Sequence, residues 1–157
     1  MQPEIRTTEE KKLIGKRMEM SFADNRTRQL WQNFMPEQKA IKNRTGSELY
    51  SVEVYEPMYF KPFNPEKSFE KWAAVEVKDF SIIPDTMETL TVPKGQYAVF
   101  LHKGPAVNAP ETYEYIFKTW LPYADLSLDN RPHFAVMGEK YQPKSPDSEE
   151  TIWIPLK

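Results

Sequence analysis

The run Trp31-x-x-Phe34-Met35-Pro36 is echoed far along the chain by Phe117-x-x-Trp120-Leu121-Pro122, and that echo restricts the fold more than any single segment does. Around the first copy, Leu30, Trp31, Phe34 and Met35 fall at helical spacing behind Asp24 or Asn25, either of which can cap the first turn. Around the second, Tyr113, Ile116, Phe117 and Trp120 fall on an i, i+3, i+4, i+7 stripe behind Pro110, a residue suited to a first turn. Each helix has a strand-like segment directly before it and two after it. The first set is KLIGKRMEM from Lys12, YSVEVYE at 50–56 and WAAVEVKD at 72–79. The second is the region METLTVPKGQYAVFLHKGP, read as two strands turning at Pro93-Lys94-Gly95, then HFAVMGEKY at 133–141 and TIWIPLK at 151–157.

Matching order on both sides predicts two copies of a strand-helix-strand-strand unit. Strands that end in hairpins but are separated by helices imply an α+β domain with one mainly antiparallel sheet and both helices on one face. Two such units side by side leave a central cleft where the helices diverge, a place where pockets form. Residues 1–11 carry no periodic apolar pattern and are expected to be a flexible segment, with 12–157 as a single domain.

Composition narrows the function. The formal charge is −2 and the 21 basic residues are scattered, so the electrostatic footprint of a nucleic-acid or anionic-membrane binder is missing. Cysteine is absent and only two histidines are present, which removes disulfides and thiolate chemistry and speaks against a histidine-based metal site. The polar start MQPEIRTTEEKK lacks the apolar core of a signal peptide, and no apolar run is long enough to span a bilayer, so a cytoplasmic protein is expected. Aromatic residues reach 13 %, with four Trp and eight Tyr. Such side chains join an apolar body to a polar handle and suit surfaces that grip a partner. The expected partner is a small organic molecule, with no cofactor, no direct nucleic-acid contact and no membrane.

At PKGQYAVFLHKGP, the helix ending TWLP, the strand RPHFAVMGEKY and the terminal IWIPLK, the chain resembles the GyrI-like domain family. That family includes effector-binding domains of multidrug-responsive and AraC-type bacterial transcription regulators and stand-alone gyrase-inhibitor-like proteins. The likeness runs from the KLIGKRMEM strand to Lys157. It implies a duplicated strand-helix-strand-strand fold whose cleft takes apolar, often cationic, ring compounds, without the DNA-binding module to which the regulators join it. It also implies an acidic residue directly after Phe134 as counter-charge for a bound cation, but this sequence has Ala135 there.

Other carboxylates are therefore candidates. Residues two apart on a strand share a face, so Glu139 would follow Ala135 and Met137, and Glu76 would follow Trp72 and Ala74. Glu53, between Val52 and Val54 and beside Tyr55, is a third. A carboxylate in an aromatic cleft is costly unless paired, and a ligand cation could supply the partner, with cation–π attraction adding roughly 1–2 kcal/mol. The resemblance makes Trp153 a ligand-stacking side chain. Tyr55, Tyr97 and Phe100 flank the same groove, the last two with opposite parity, and Trp31, Phe34 and Trp120 sit on helix faces. For each of these rings, core packing is the competing reading.

No serine, histidine and acid form a nucleophile pattern, and Lys94-Gly95 and Gly104-Pro105 read as turns instead of a phosphate loop. No catalytic residue is assigned. The leading expectation is a binding protein that senses or sequesters an amphipathic compound, possible transcription-related roles included. Two alternatives stand beside it: a hydrolase of reactive small molecules using Glu139 or Glu76 as general base, as some members of the resembled family do, and a module that contacts a protein such as DNA gyrase or a regulator.

Overall fold

The structure is a computed structural model describing all 157 residues. Eight strands alternate with two helices: β1 (Glu4–Thr8), β2 (Lys11–Ser21), α1 (Thr27–Phe34), β3 (Leu49–Val54), β4 (Ser68–Val77), β5 (Glu88–Val92), β6 (Gly95–Lys103), a composite α2 at 106–123, β7 (His133–Met137) and β8 (Glu149–Leu156). All eight strands form one antiparallel sheet in the order β1-β6-β8-β7-β3-β4-β2-β5.

That order displays the duplication. β2, α1, β3 and β4 form one unit and β6, α2, β7 and β8 the other, meeting where β3 pairs β7 with Val52 opposite Phe134. Each unit also has a short leading strand, and each of these pairs in the opposite unit: β1 with β6 and β5 with β2. The links Glu9–Glu10 and Pro93–Lys94 are only two residues long, yet each runs between opposite edges of the sheet. Three Cα–Cα steps cover at most about 11 Å. The sheet must therefore curl until its edges nearly meet at that end, where Lys94 and Glu9 form an ion pair at 3.7 Å.

Three apolar clusters follow from the curl. On the helix-bearing face, Leu30 and Phe34 of α1 pack on Ile14, Ala73, Val75 and Val77, and Ile116 of α2 packs on Ala98, Phe100, Ala135, Ile152 and Ile154. The opposite, concave face packs on itself, joining Leu13 and Val92 from one end of the sheet to Tyr97 and Val99 from the other, over Trp72, Val52 and Phe134. Burying a Leu, Ile or Phe side chain fully is worth about 1.5–3 kcal/mol, so each helix is held chiefly by its apolar stripe. Gly15 permits the tightest approach: a Cβ there would lie 2.0 Å from the Ala73 carbonyl oxygen.

Several local expectations are corrected. Residues 4–8 are a strand, not a flexible start, because β6 offers an edge to pair with. At α1, Asn25 accepts the Thr27 N–H through Oδ1 at 2.9 Å, whereas Asp24 is bound to Arg26 at 2.9 Å. Pro36 does not end the coil at once, since a 3-10 stretch continues from Met35 to Ala40. β4 begins and ends earlier than 72–79, and β7 stops at Met137, before Gly138. α2 continues past Leu121-Pro122 to Tyr123 through a π-helical stretch, Tyr115–Trp120. Pro122 has no N–H for the Lys118 carbonyl and its ring crowds that group. In the wider turn the Leu121 N–H reaches back to the Ile116 carbonyl, and the helix passes the proline.

Candidate functional site

Strand register puts four side chains in one row on the helix-bearing face: Met18, Lys71, Glu53 and His133, from β2, β4, β3 and β7. Glu53 thus stands at the junction of the two units. Its side chain is 7 % exposed and Oε2 accepts from Lys71 Nζ at 2.7 Å, with Lys71 itself 14 % exposed. An ion pair so deep must recover a large desolvation cost from its own geometry. On the other side of Glu53, His133 is enclosed, and burial first, then the nearby Arg131 charge, pushes its pKa down to about 3, so it is neutral at physiological pH.

A second buried carboxylate lies nearby. Glu150 of β8 is 9 % exposed, opposite His102 of β6, and takes no side-chain hydrogen bond or ion pair. Burial pushes its pKa up, and Glu53 adds to this, while His102 and Lys71 pull the other way. His102 is committed elsewhere: its Nε2 lies 3.2 Å from the Pro105 carbonyl and its Nδ1 2.7 Å from the Thr112 hydroxyl. Tyr113 of α2 faces both acids, and burial followed by Glu53 and then Glu150 drives its phenol pKa well up. Tyr55 is raised by burial and by Glu53 in the same way. Both phenols keep their protons in this setting.

Aromatic rings fill the space above this polar row. The segment 55–67 between β3 and β4 folds back over the sheet face and lies in the seam between the helices. Tyr55 touches Tyr59, Phe60, Phe69 and His133 with centroids 4.8–5.2 Å apart. Phe60 lies nearly parallel to Phe117 of α2, at 5.2 Å and 18°. The seam between the helices is walled by rings, but where the sequence leads one to expect an open cleft it is filled by the chain's own side chains, because the long 55–67 connection folds into it.

The candidates from the sequence divide by face. Glu53, Tyr55, Phe100, Met137, Trp31 and Trp120 are on the helix-bearing face. There Trp31 meets Phe34 edge-on at 5.8 Å and Trp120 meets Phe100 edge-on at 5.0 Å, both as walls of the core. Phe100 and Tyr97 do face opposite ways, Tyr97 into the concave cluster. Trp72, Glu76 and Trp153 lie on that concave face, away from the seam. Trp72 donates its indole N–H to Glu70, Trp153 donates to Thr151 at 3.0 Å and stacks on Phe134 at 5.2 Å, and Glu76 accepts from the Tyr50 hydroxyl at 3.2 Å. Glu139 is past the end of β7, exposed, on a surface depression of about 360 Å³ that Glu150 also lines.

Glu150, Lys71, His133, Tyr113, Phe60 and Phe117 are not among the site residues expected from the sequence. For Glu150 a signal existed, because counting back by two from Ile154 and Ile152 puts it on the same face. For Phe60 it was the aromatic density of YFKPF within a connection. No group of three or more His, Cys, Asp or Glu converges to hold a metal ion, and no helix is long and apolar enough to cross a membrane.

Comparison with known proteins gives this arrangement a context. A family model described as a GyrI-like small molecule binding domain matches residues 1–157. The transcriptional regulator BrlR of Pseudomonas aeruginosa is 28 % identical over 130 residues, covering 82 % of this chain and 45 % of the regulator, so this chain spans less than half of that relative. Among solved structures, SAV2435 bound to tetraphenylphosphonium superposes with a TM-score of 0.77 at 16 % identity, covering 100 % of this chain and 94 % of that one. A hydrolase from Listeria innocua superposes at 0.57 with 12 % identity, covering 99 % and 92 %. At these identities the solved structures establish the fold alone.

Proposed function

This chain belongs to the family of GyrI-like small molecule binding domains, and on that footing we propose that it binds an amphipathic, ring-bearing compound in the seam between α1 and α2, as a sensor or sequestering protein. The observation that carries the reading is Glu150, a largely buried carboxylate at the edge of the depression it shares with Glu139, without a side-chain partner and within the electrostatic reach of an acid that already has one. One ammonium, Lys71, serves two carboxylates, so an ionised Glu150 leaves the seam with a net negative charge. A cation with aromatic substituents satisfies both needs of the site: its charge compensates Glu150, and its rings meet Tyr55, Tyr113 and Phe117. That SAV2435 binds tetraphenylphosphonium on the same fold supports the choice of compound class.

The test uses tetraphenylphosphonium against neutral triphenylphosphine oxide. Binding only the native state raises the melting temperature. The cation is expected to give the larger shift, and Glu150→Gln to remove the difference. A protein that gives no shift with either compound at high concentration does not have this function.

A second reading has one observation in its favour. A carboxylate whose pKa burial pushes up is also how a general acid or base is prepared, with Glu150 in that role in place of Glu139 or Glu76. Turnover of an electrophilic small molecule, lost in Glu150→Gln with binding retained, would separate this hydrolytic role from binding alone.

A further inference from the structure

We propose that Phe60 is a resident ring standing in the slot that a ligand's flat aromatic ring takes, so that the seam admits its compound by exchanging one ring for the other. This rests on the seam being the ligand site, and it specifies what enters it.

The connection between β3 and β4 is the first support. Paired antiparallel neighbours need only two to five residues between them, and residues 55–67 far exceed that. The excess is not spent on secondary structure. It carries Tyr55, Tyr59, Phe60 and Phe63 back over the sheet.

Within the segment the aromatic side chains have different attachments. Tyr59 is an anchor, fully buried, with its hydroxyl donating to the Lys67 carbonyl at 2.6 Å. Phe60 has no polar tether and is held by rings on several sides: Phe117 and Phe63 nearly parallel to it at 5.2 and 6.2 Å, Tyr55 and Tyr59 edge-on at 4.8 and 5.0 Å, His133 at 6.2 Å. A slot that satisfies a phenyl ring in this way satisfies a ligand's ring equally.

The segment is also free to yield. Its backbone bonds at the tip are internal, Tyr59 N–H to the Glu56 carbonyl and Lys61 N–H to the Met58 carbonyl, so these turns can open around the anchored Tyr59 ring without opening a sheet ladder. Met58, 66 % exposed, is held at φ 63°, a conformation costly for a residue with a side chain. Departure of Phe60 would uncover His133, 6.2 Å from its ring, at the end of the row that holds Glu53 and Lys71.

The experiment compares the whole chain with Phe60→Ala and Phe60→Leu, titrating each with tetraphenylphosphonium by tryptophan fluorescence, and follows amide exchange of Tyr59 and Lys61 in the unaltered protein. Emptying the slot is expected to tighten binding at least ten-fold in Phe60→Ala and less in Phe60→Leu, whose side chain still fills part of it. Exchange at Tyr59 and Lys61 is expected to quicken when ligand binds. Equal or weaker binding by both variants, or slower exchange at those two amides, would show Phe60 to be a fixed wall and overturn the proposal while the seam remained the ligand site. Binding by none of the three proteins would overturn the seam itself. The exchange measurement needs no variant, so it decides the matter even if Phe60→Ala fails to fold.

Discussion

Glu53 and Lys71 face each other across β3 and β4 at 2.7 Å, and each is the other's only charged hydrogen-bond partner. Removing one partner leaves the other charged in a site with little water. Glu53→Gln is expected to lower unfolding free energy by about 3 kcal/mol, as for other broken buried pairs. Replacing both, Glu53→Leu with Lys71→Met, should restore stability to near or above the starting value. Urea denaturation of the three proteins checks this, and a double variant no better than the single would show the two sites to be uncoupled.

His133 makes the acid limb of the stability curve steeper. Its pKa falls from 6.5 in the unfolded chain to about 3 in the fold. Between those values the unfolded state takes a proton that the native state refuses, so stability is present above pH 6.5 and is lost as pH falls toward 3, by up to about 1.4 kcal/mol per unit. His133→Asn should flatten that slope, as measured by denaturation at a series of pH values.

Glu150 acts with the opposite sign. Its pKa is raised above 4.5, so the native state holds the proton that the unfolded state releases. Stability is greatest below the unfolded value and declines as pH rises toward the folded one. Glu150→Gln is expected to melt higher than the parent at pH 7 and to match it near pH 4. A variant that melts lower at both pH values would mean that the carboxylate is stabilised by contacts other than those described.

Gly15 stands in β2 where Ala73 and Ala74 of β4 come closest, with backbone atoms at 2.0 and 2.6 Å from any added Cβ. The obstacle is backbone, so side-chain rotation cannot relieve it. Gly15→Ala should destabilise the fold by roughly 1–3 kcal/mol, the usual range for overpacking, despite the better intrinsic fit of alanine to a strand. A thermal melt reads the effect directly.

The helices and the repeat were legible because their cause is local: Leu30 with Phe34, and Ile116 with Trp120, announce a buried stripe without help from the rest of the chain. β1 was not, since EIRTT is short and polar and becomes a strand only by meeting β6, whose residues are remote in sequence. Parity correctly grouped Trp72 with Glu76 and Ala135 with Met137, yet it cannot say which face the helices cover. Trp72 and Glu76, grouped by parity, and Trp153, taken from the family resemblance, therefore stand on the face opposite Glu53 and Tyr55. Pro122 at the end of α2 read as a stop, because the π turn that carries the helix past it leaves no mark in an apolar pattern. The charge at the seam was missed at Glu150 because DSEET looks like a solvated turn, and Tyr113, whose phenol feels that charge, arrives from another part of the chain.

The exchange of leading strands, β1 into the second unit and β5 into the first, interlocks the two repeats. A single repeat cut from this chain would carry a leading strand with nothing to lie against and a vacant edge where its counterpart belonged. Two such fragments could satisfy each other only by swapping arms, as in a strand-exchanged homodimer. The covalent chain makes that embrace permanent, so the halves should melt in one step and neither should survive as a domain of its own.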